Sequence, residues 1–154
     1  MEIESITPAE FEELGRVKLN RFLSTDLRQM DIPPTKKWDY VSPDMSIVGD
    51  AKLYRYAGQA SAEKSTISEH VWLLEKLPAT CREKFLFFGG NLGTVMEWLR
   101  RWRSLLPQNV RFLYLREEDG EIGVLYAQEP KFSQVWEQLL DHQGRWKKLG
   151  ATRF

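Results

Sequence analysis

The sequence predicts an α/β fold, a three-layer sandwich with a mixed central sheet between flanking helices. Three observations carry this expectation. Segments with helical apolar spacing alternate with short apolar runs of strand length. The runs Lys84 to Gly90 and Val110 to Leu115 are joined by a helical segment, the kind of crossover that parallel neighbours need. Two further connections are tight turns, which make their strands antiparallel and the sheet mixed.

The chain has 154 residues, 42% of them hydrophobic and 12% aromatic, enough for one domain with a real core. The core is expected over about 7–127 and a C-terminal helix over about 131–149. Formal net charge is zero, which argues against a protein that grips nucleic acid by bulk electrostatics. Lys36-Lys37, Arg100-Arg101 with Arg103, and Arg145 with Lys147-Lys148 are local clusters that read either as phosphate contacts or as solvated faces. Cys81 is the only cysteine, so there is no disulfide framework and no thiolate zinc site; it reads as a small buried hydrophobe. His70 and His142 are too few and too far apart for a zinc-type site. No apolar run is long enough to span a bilayer, and Met1-Glu2-Ile3-Glu4 lacks the basic and apolar regions of a signal peptide. A cytoplasmic protein without a membrane partner is expected.

Taken in order, Thr7-Pro8-Ala9-Glu10 opens a helix with an N-cap threonine, proline at the first position and a capping-box glutamate. Phe11, Leu14, Val17 or Lys18, and Phe22 continue it to about Ser24. Thr25 to Thr35, polar and holding Pro33-Pro34, reads as a linker without a convincing strand. Lys37 to Tyr54 reads as two strands around a turn at Pro43-Asp44. Arg55 to Lys64 reads as a loop, and Thr66-Ile67-Ser68-Glu69 as a capping box opening a helix that Pro78 stops. Lys64, Ser65 and Ser68 near that helix start read as phosphate contacts or as plain capping, and Trp72 reads as core. Lys84 to Gly90 suits a central strand buried on both faces. Thr94-Val95-Met96-Glu97 opens a third capped helix ending at Pro107, and Asp119-Gly120 turns Val110 to Leu115 back into Ile122 to Ala127. Phe132, Val135, Trp136, Leu139 and Leu140 recur at helical spacing in a last helix that covers the sheet or supplies a surface for a homodimer or partner protein.

Chemistry concentrates in the hairpin. With Pro43-Asp44 as a two-residue loop, Tyr40 faces Ile47 and Asp39 faces Val48. Alternation then puts Val48, Asp50, Lys52 and Tyr54 on one face, with Asp39 diagonal to Asp50. Charges buried in a sheet must be paired or hold a metal, and a hard cation is typically bound by one or two carboxylates with waters and phosphate oxygens completing its shell. An acid-x-Lys triplet arises by chance about once or twice in a chain of this composition. Asp50-Ala51-Lys52 differs from the second such triplet, Glu129-Pro130-Lys131, in lying on a strand with an acid across from it. The plainer reading is a strand-edge ion pair between Asp50 and Lys52 with Asp39 solvated.

Asp39 followed by Asp50-Ala51-Lys52 resembles the active site of the PD-(D/E)xK, or restriction-endonuclease-like, nuclease superfamily. Trp38 stands where that motif has proline, and Pro43-Asp44 falls in the turn, too near Asp50 for the usual spacing. The resemblance implies a restriction-endonuclease-like core and Mg²⁺- or Mn²⁺-dependent hydrolysis of phosphodiester bonds in DNA. It implies Asp39, Asp50 and the Ala51 carbonyl as metal ligands and Lys52 as the group that orients water. A glutamate of the first helix often reaches the metal in that superfamily. Glu10, Glu12 and Glu13 are the candidates here, with Glu13 preferred because it lies beside the apolar stripe. The alternative from a different functional class is a catalytically inactive module that keeps this fold and binds a protein or nucleic-acid partner.

Overall fold

The computed structural model describes residues 6–55 and 60–128. Helix α1 (Pro8–Leu23) is followed by strands β1 (Arg28–Ile32), β2 (Lys36–Val41) and β3 (Ile47–Tyr54). Helix α2 (Ala60–Glu75), strand β4 (Glu83–Gly90), helix α3 (Gly93–Trp102), a 3₁₀ turn (Arg103–Leu105) and strands β5 (Val110–Leu115) and β6 (Ile122–Tyr126) complete it. The sheet is open and mixed in the order β1-β2-β3-β4-β5-β6. The pair β3/β4 and the pair β4/β5 are parallel, and every other neighbouring pair is antiparallel.

Helices cover both faces, as the pattern predicts for α/β. On one face Phe11 and Leu19 of α1 pack with Tyr40, Phe85, Phe87 and Leu113. On the other, Ile67, Val71 and Leu74 of α2 and Val95 and Leu99 of α3 pack on the sheet. This arrangement is compatible with a three-layer sandwich. Among the described residues no helix is long and apolar enough to cross a membrane.

The capping box at Thr7 forms as expected: Glu10 N–H donates to Thr7 Oγ1 at 3.1 Å and Thr7 N–H to Glu10 Oε1 at 3.0 Å. The face α1 buries is only partly the expected one, with Phe11 buried and Leu14 half-buried as the spacing predicts. Phe11, Gly15 and Leu19, spaced by four, face the sheet, whereas Val17 and Phe22 are exposed. Gly15 is what allows this, because a Cβ there would sit 2.5 Å from the Tyr40 hydroxyl and 2.6 Å from the Phe87 ring.

Several expectations are corrected. The stretch read as a linker contains β1, a largely exposed edge strand whose polar residues hide its period. The turn between β2 and β3 is longer than two residues: Met45 adopts a φ of 61°, and Tyr40 pairs with Gly49 and Val41 with Val48. That register is two residues away from the expected one. Helix α2 begins at Ala60, so Lys64, Ser65, Thr66 and Ser68 lie inside it and not at its N-terminus. The Thr66 hydroxyl donates to the Ala62 carbonyl instead of capping. Thr94 is buried within α3, and the Asn91 side chain accepts from Gly93 N–H at 2.9 Å at the helix start. Trp72 is exposed and not core. Cys81 is buried, as expected. The expected helix over 131–149 and the triplet at 129–131 lie outside the described residues.

Candidate functional site

Strand β2 carries a bulge where the chemistry sits. Arg28 pairs with Val41 and Met30 with Trp38, so one residue of β1, Gln29, stands against Asp39 and Tyr40. An extra residue breaks alternation, and both Trp38 and Val41 face α2 while Tyr40 faces α1. Helix α1 fixes the bulge: the Tyr40 hydroxyl donates to the Glu12 carbonyl at 2.7 Å, and Arg16 Nη1 donates to the carbonyls of Leu27 at 3.1 Å and Asp39 at 3.3 Å.

Beyond the pair Tyr40↔Gly49, side chains bridge β2 and β3 and the strands form a fork. Asp39 N–H donates to Asp50 Oδ1 at 2.9 Å, and Ala51 N–H donates to Asp39 Oδ2 at 2.9 Å. Each carboxylate thus accepts an amide proton that a regular ladder would give to a carbonyl. Asp39 and Asp50 do converge, as expected, through direct opposition at a bulge and not through a diagonal at strict alternation.

Asp50 is 1% exposed and is the centre of the cluster. Its Oδ2 accepts from Lys36 Nζ and, at 3.2 Å, from Lys52 Nζ, with His70 Nε2 at 3.4 Å. His70 Nδ1 lies 2.8 Å from the Thr66 carbonyl, which can only accept, so Nδ1 carries the proton. Burial and the ammoniums of Lys52 and Lys36 push the His70 pKa down and keep it neutral. Its Nε2 lone pair is then free to accept from Lys36 and Lys52, each at 3.2 Å. Trp38 closes the cluster, edge-on to His70 at 6.2 Å with Lys36 Nζ 5.0 Å above its ring.

The two carboxyls titrate as a pair. Burial, the hydrogen bond to Asp50 and the charge of Asp50 push Asp39 up to about 7, against the Ala51 amide. Burial pushes Asp50 up too, but Lys52, the bond from Asp39 and Lys36 outweigh it and hold Asp50 below the ordinary carboxylate value. Burial and Lys36 lower the Lys52 pKa, partly offset by Asp50.

Asp39, Asp50 and Lys52 are therefore brought together, with Ala51 between the latter two. Glu13 is not: its carboxylate is 68% exposed and pairs with Arg16 at 3.1 Å. Glu10 caps the helix, and Glu12 is the α1 acid whose charge reaches Asp39. Lys36 and His70 were missed as cluster members. His70 falls three residues after Ile67 and four before Leu74, on the buried stripe of α2, and that spacing was the available signal. Among the described residues there is no group of three or more His, Cys, Asp and Glu side chains disposed to hold a metal by themselves. No family model, no curated protein and no solved structure matches the chain.

Proposed function

We propose that the chain is a metal-dependent hydrolase of phosphodiester bonds in DNA, built on a restriction-endonuclease-like core. Asp39 and Asp50 are its carboxylates and Lys52 its ammonium. The observation that supports this most is the meeting of these three groups at the fork of β2 and β3.

The donor set fits a hard divalent cation. Two carboxylates share one desolvated place, and burial together with the hydrogen bond to Asp50 and its charge pushes Asp39 up to about 7. Mg²⁺ or Mn²⁺ would be held by Asp39 and Asp50 with the Ala51 carbonyl, and when bound it supplies Lewis acidity and acidifies a ligated water. Lys52, held between Asp50 Oδ2 and His70 Nε2, orients that water and faces the charge that develops on the phosphate. His70, locked to Thr66, keeps the Lys52 head from swinging away. Lys36 is the more exposed of the two lysines, with a side chain 26% exposed, and is the one able to leave Asp50 for a backbone phosphate.

Cleavage of plasmid and linear DNA with Mg²⁺ tests the reading. Asp50→Asn and Asp39→Asn each lose about 100-fold or more of the rate while keeping the circular dichroism of the fold. An Asp50→Asn protein that cuts as well as the original sinks the assignment.

A second reading rests on one observation: Asp50 Oδ2 already carries two ammoniums. The cluster is then the ionic lock of a catalytically inactive module that binds a protein or nucleic-acid partner. Calorimetry with Mn²⁺ separates the two, because the module shows no saturable binding that depends on Asp39 and Asp50.

A further inference from the structure

On the side of α2 opposite His70, an apolar groove runs between α2 and α3. Trp98 forms its floor, buried, donating to Ser68 Oγ at 2.9 Å and stacked on Phe112 at 5.3 Å. Trp72, Trp102 and Leu105 form its walls, and Trp72 and Leu105 are 57% and 71% exposed. Lys76 Nζ lies 5.3 Å over the Trp72 ring and the Arg101 guanidinium 4.9 Å over that of Trp102, so cations border both indoles. A contiguous apolar patch with a polar rim marks a surface that something covers.

We propose that the occupant is the chain's own segment 131–149. The exit point supports this first. Gln128, the last described residue, donates its side-chain amide to the carbonyl of Leu106, the chain neighbour of Leu105, which lines the groove. The last described residue therefore lies beside a residue that lines the groove.

Pattern and length agree. Phe132, Val135, Trp136, Leu139 and Leu140 make an apolar stripe of about 12 Å as a helix, and the groove from Ser68 to Glu75 of α2 is about 11 Å long. Three connecting residues reach at most about 10 Å, enough to turn the stripe back onto a groove that begins beside the exit. Single-stranded nucleic acid fits less well, because Glu75 lines the groove and would meet a phosphate.

The test is photo-cross-linking from p-benzoylphenylalanine introduced at Leu105 of the full chain, a position too exposed to disturb the core. The expected product has monomer mass and joins position 105 to a peptide within 131–149, with a yield that does not change with protein concentration. Leu139→Asp lowers that yield about tenfold, the worth of one buried leucine, and speeds amide exchange over 68–76. Cross-links into a second copy, cross-links diverted to an added single-stranded oligonucleotide, or no product within 131–149 would each overturn the proposal.

Discussion

Strand β3 is held differently along its two edges. Toward β4 all eight of its residues stay in register, from Ile47 opposite Glu83 to Tyr54 opposite Gly90. Toward β2 two pairs form, and then the carboxylates of Asp39 and Asp50 take over the amides. The first edge is a ladder backed by Phe85, Phe87 and Phe88, all fully buried. The second gathers two acids, two ammoniums and an imidazole where a sheet would place carbonyls. Apolar packing is concentrated on one side of the strand and buried charge on the other.

The comparison breaks most visibly at Phe85. Its ring fills the space over Gly49, where a Cβ would lie 2.4 Å from it, and it packs with Tyr40 at 5.9 Å. Phe85→Ala should cost about 3–5 kcal/mol in urea unfolding. A cost below about 1 kcal/mol would show that the ladder edge does not carry the stability assigned to it.

Asp39 sharpens the comparison from the other edge. Its folded pKa near 7 lies above the unfolded 3.8, so the folded protein holds the extra proton between those values. Stability therefore falls as pH rises from about 4 to about 7. Asp39→Asn should remove that slope and raise stability at pH 8 by about 1–2 kcal/mol, a figure reduced for the partial exposure of the carboxyl. Urea melts at pH 5 and pH 8 measure it. A loss of stability at pH 8 would mean that Asp39 serves the sheet and not a site.

The smallest effect belongs to the turn. Asp44 Oδ1 accepts from Ser42 Oγ at 2.9 Å, Ser46 N–H at 3.0 Å and Ser46 Oγ at 2.7 Å, bonds among which those from Ser46 do most to hold its pKa down to about 2. That contribution is present above the unfolded value of 3.8 and is lost as pH falls toward 2. Asp44→Ala should lower the melting temperature slightly at pH 7 and not at pH 2. An equal deficit at both values would rule out the ionised carboxylate as the cause.

What could be read in the sequence follows from period and composition. The parallel pair and its crossover were legible because Lys84 to Gly90 and Val110 to Leu115 are apolar runs bounded by glycine and proline. Asp39, Asp50 and Lys52 stood out because charges interrupted strands. Strand β1 was not legible, since Arg28-Gln29-Met30-Asp31-Ile32 is an edge with little to bury. The start of α2 was missed because Thr66 and Glu69 mimic a cap inside a helix. The bulge escaped because one extra residue leaves no compositional trace, and the helical spacing of His70 marks it as buried without saying that it meets Asp50.

That extra residue has a consequence for how the chain tolerates change. Deleting Tyr40 would make β2 a regular neighbour of β1, keep Trp38 and Val41 on the α2 layer and put Asp39 in the α1-facing place that Tyr40 holds. The deletion would turn Asp39 away from Asp50 and remove the Tyr40 bond to the Glu12 carbonyl. A single-residue gap here therefore separates the acids and empties the α1 layer of a fully buried ring at once, so the same two positions hold the cluster and the core.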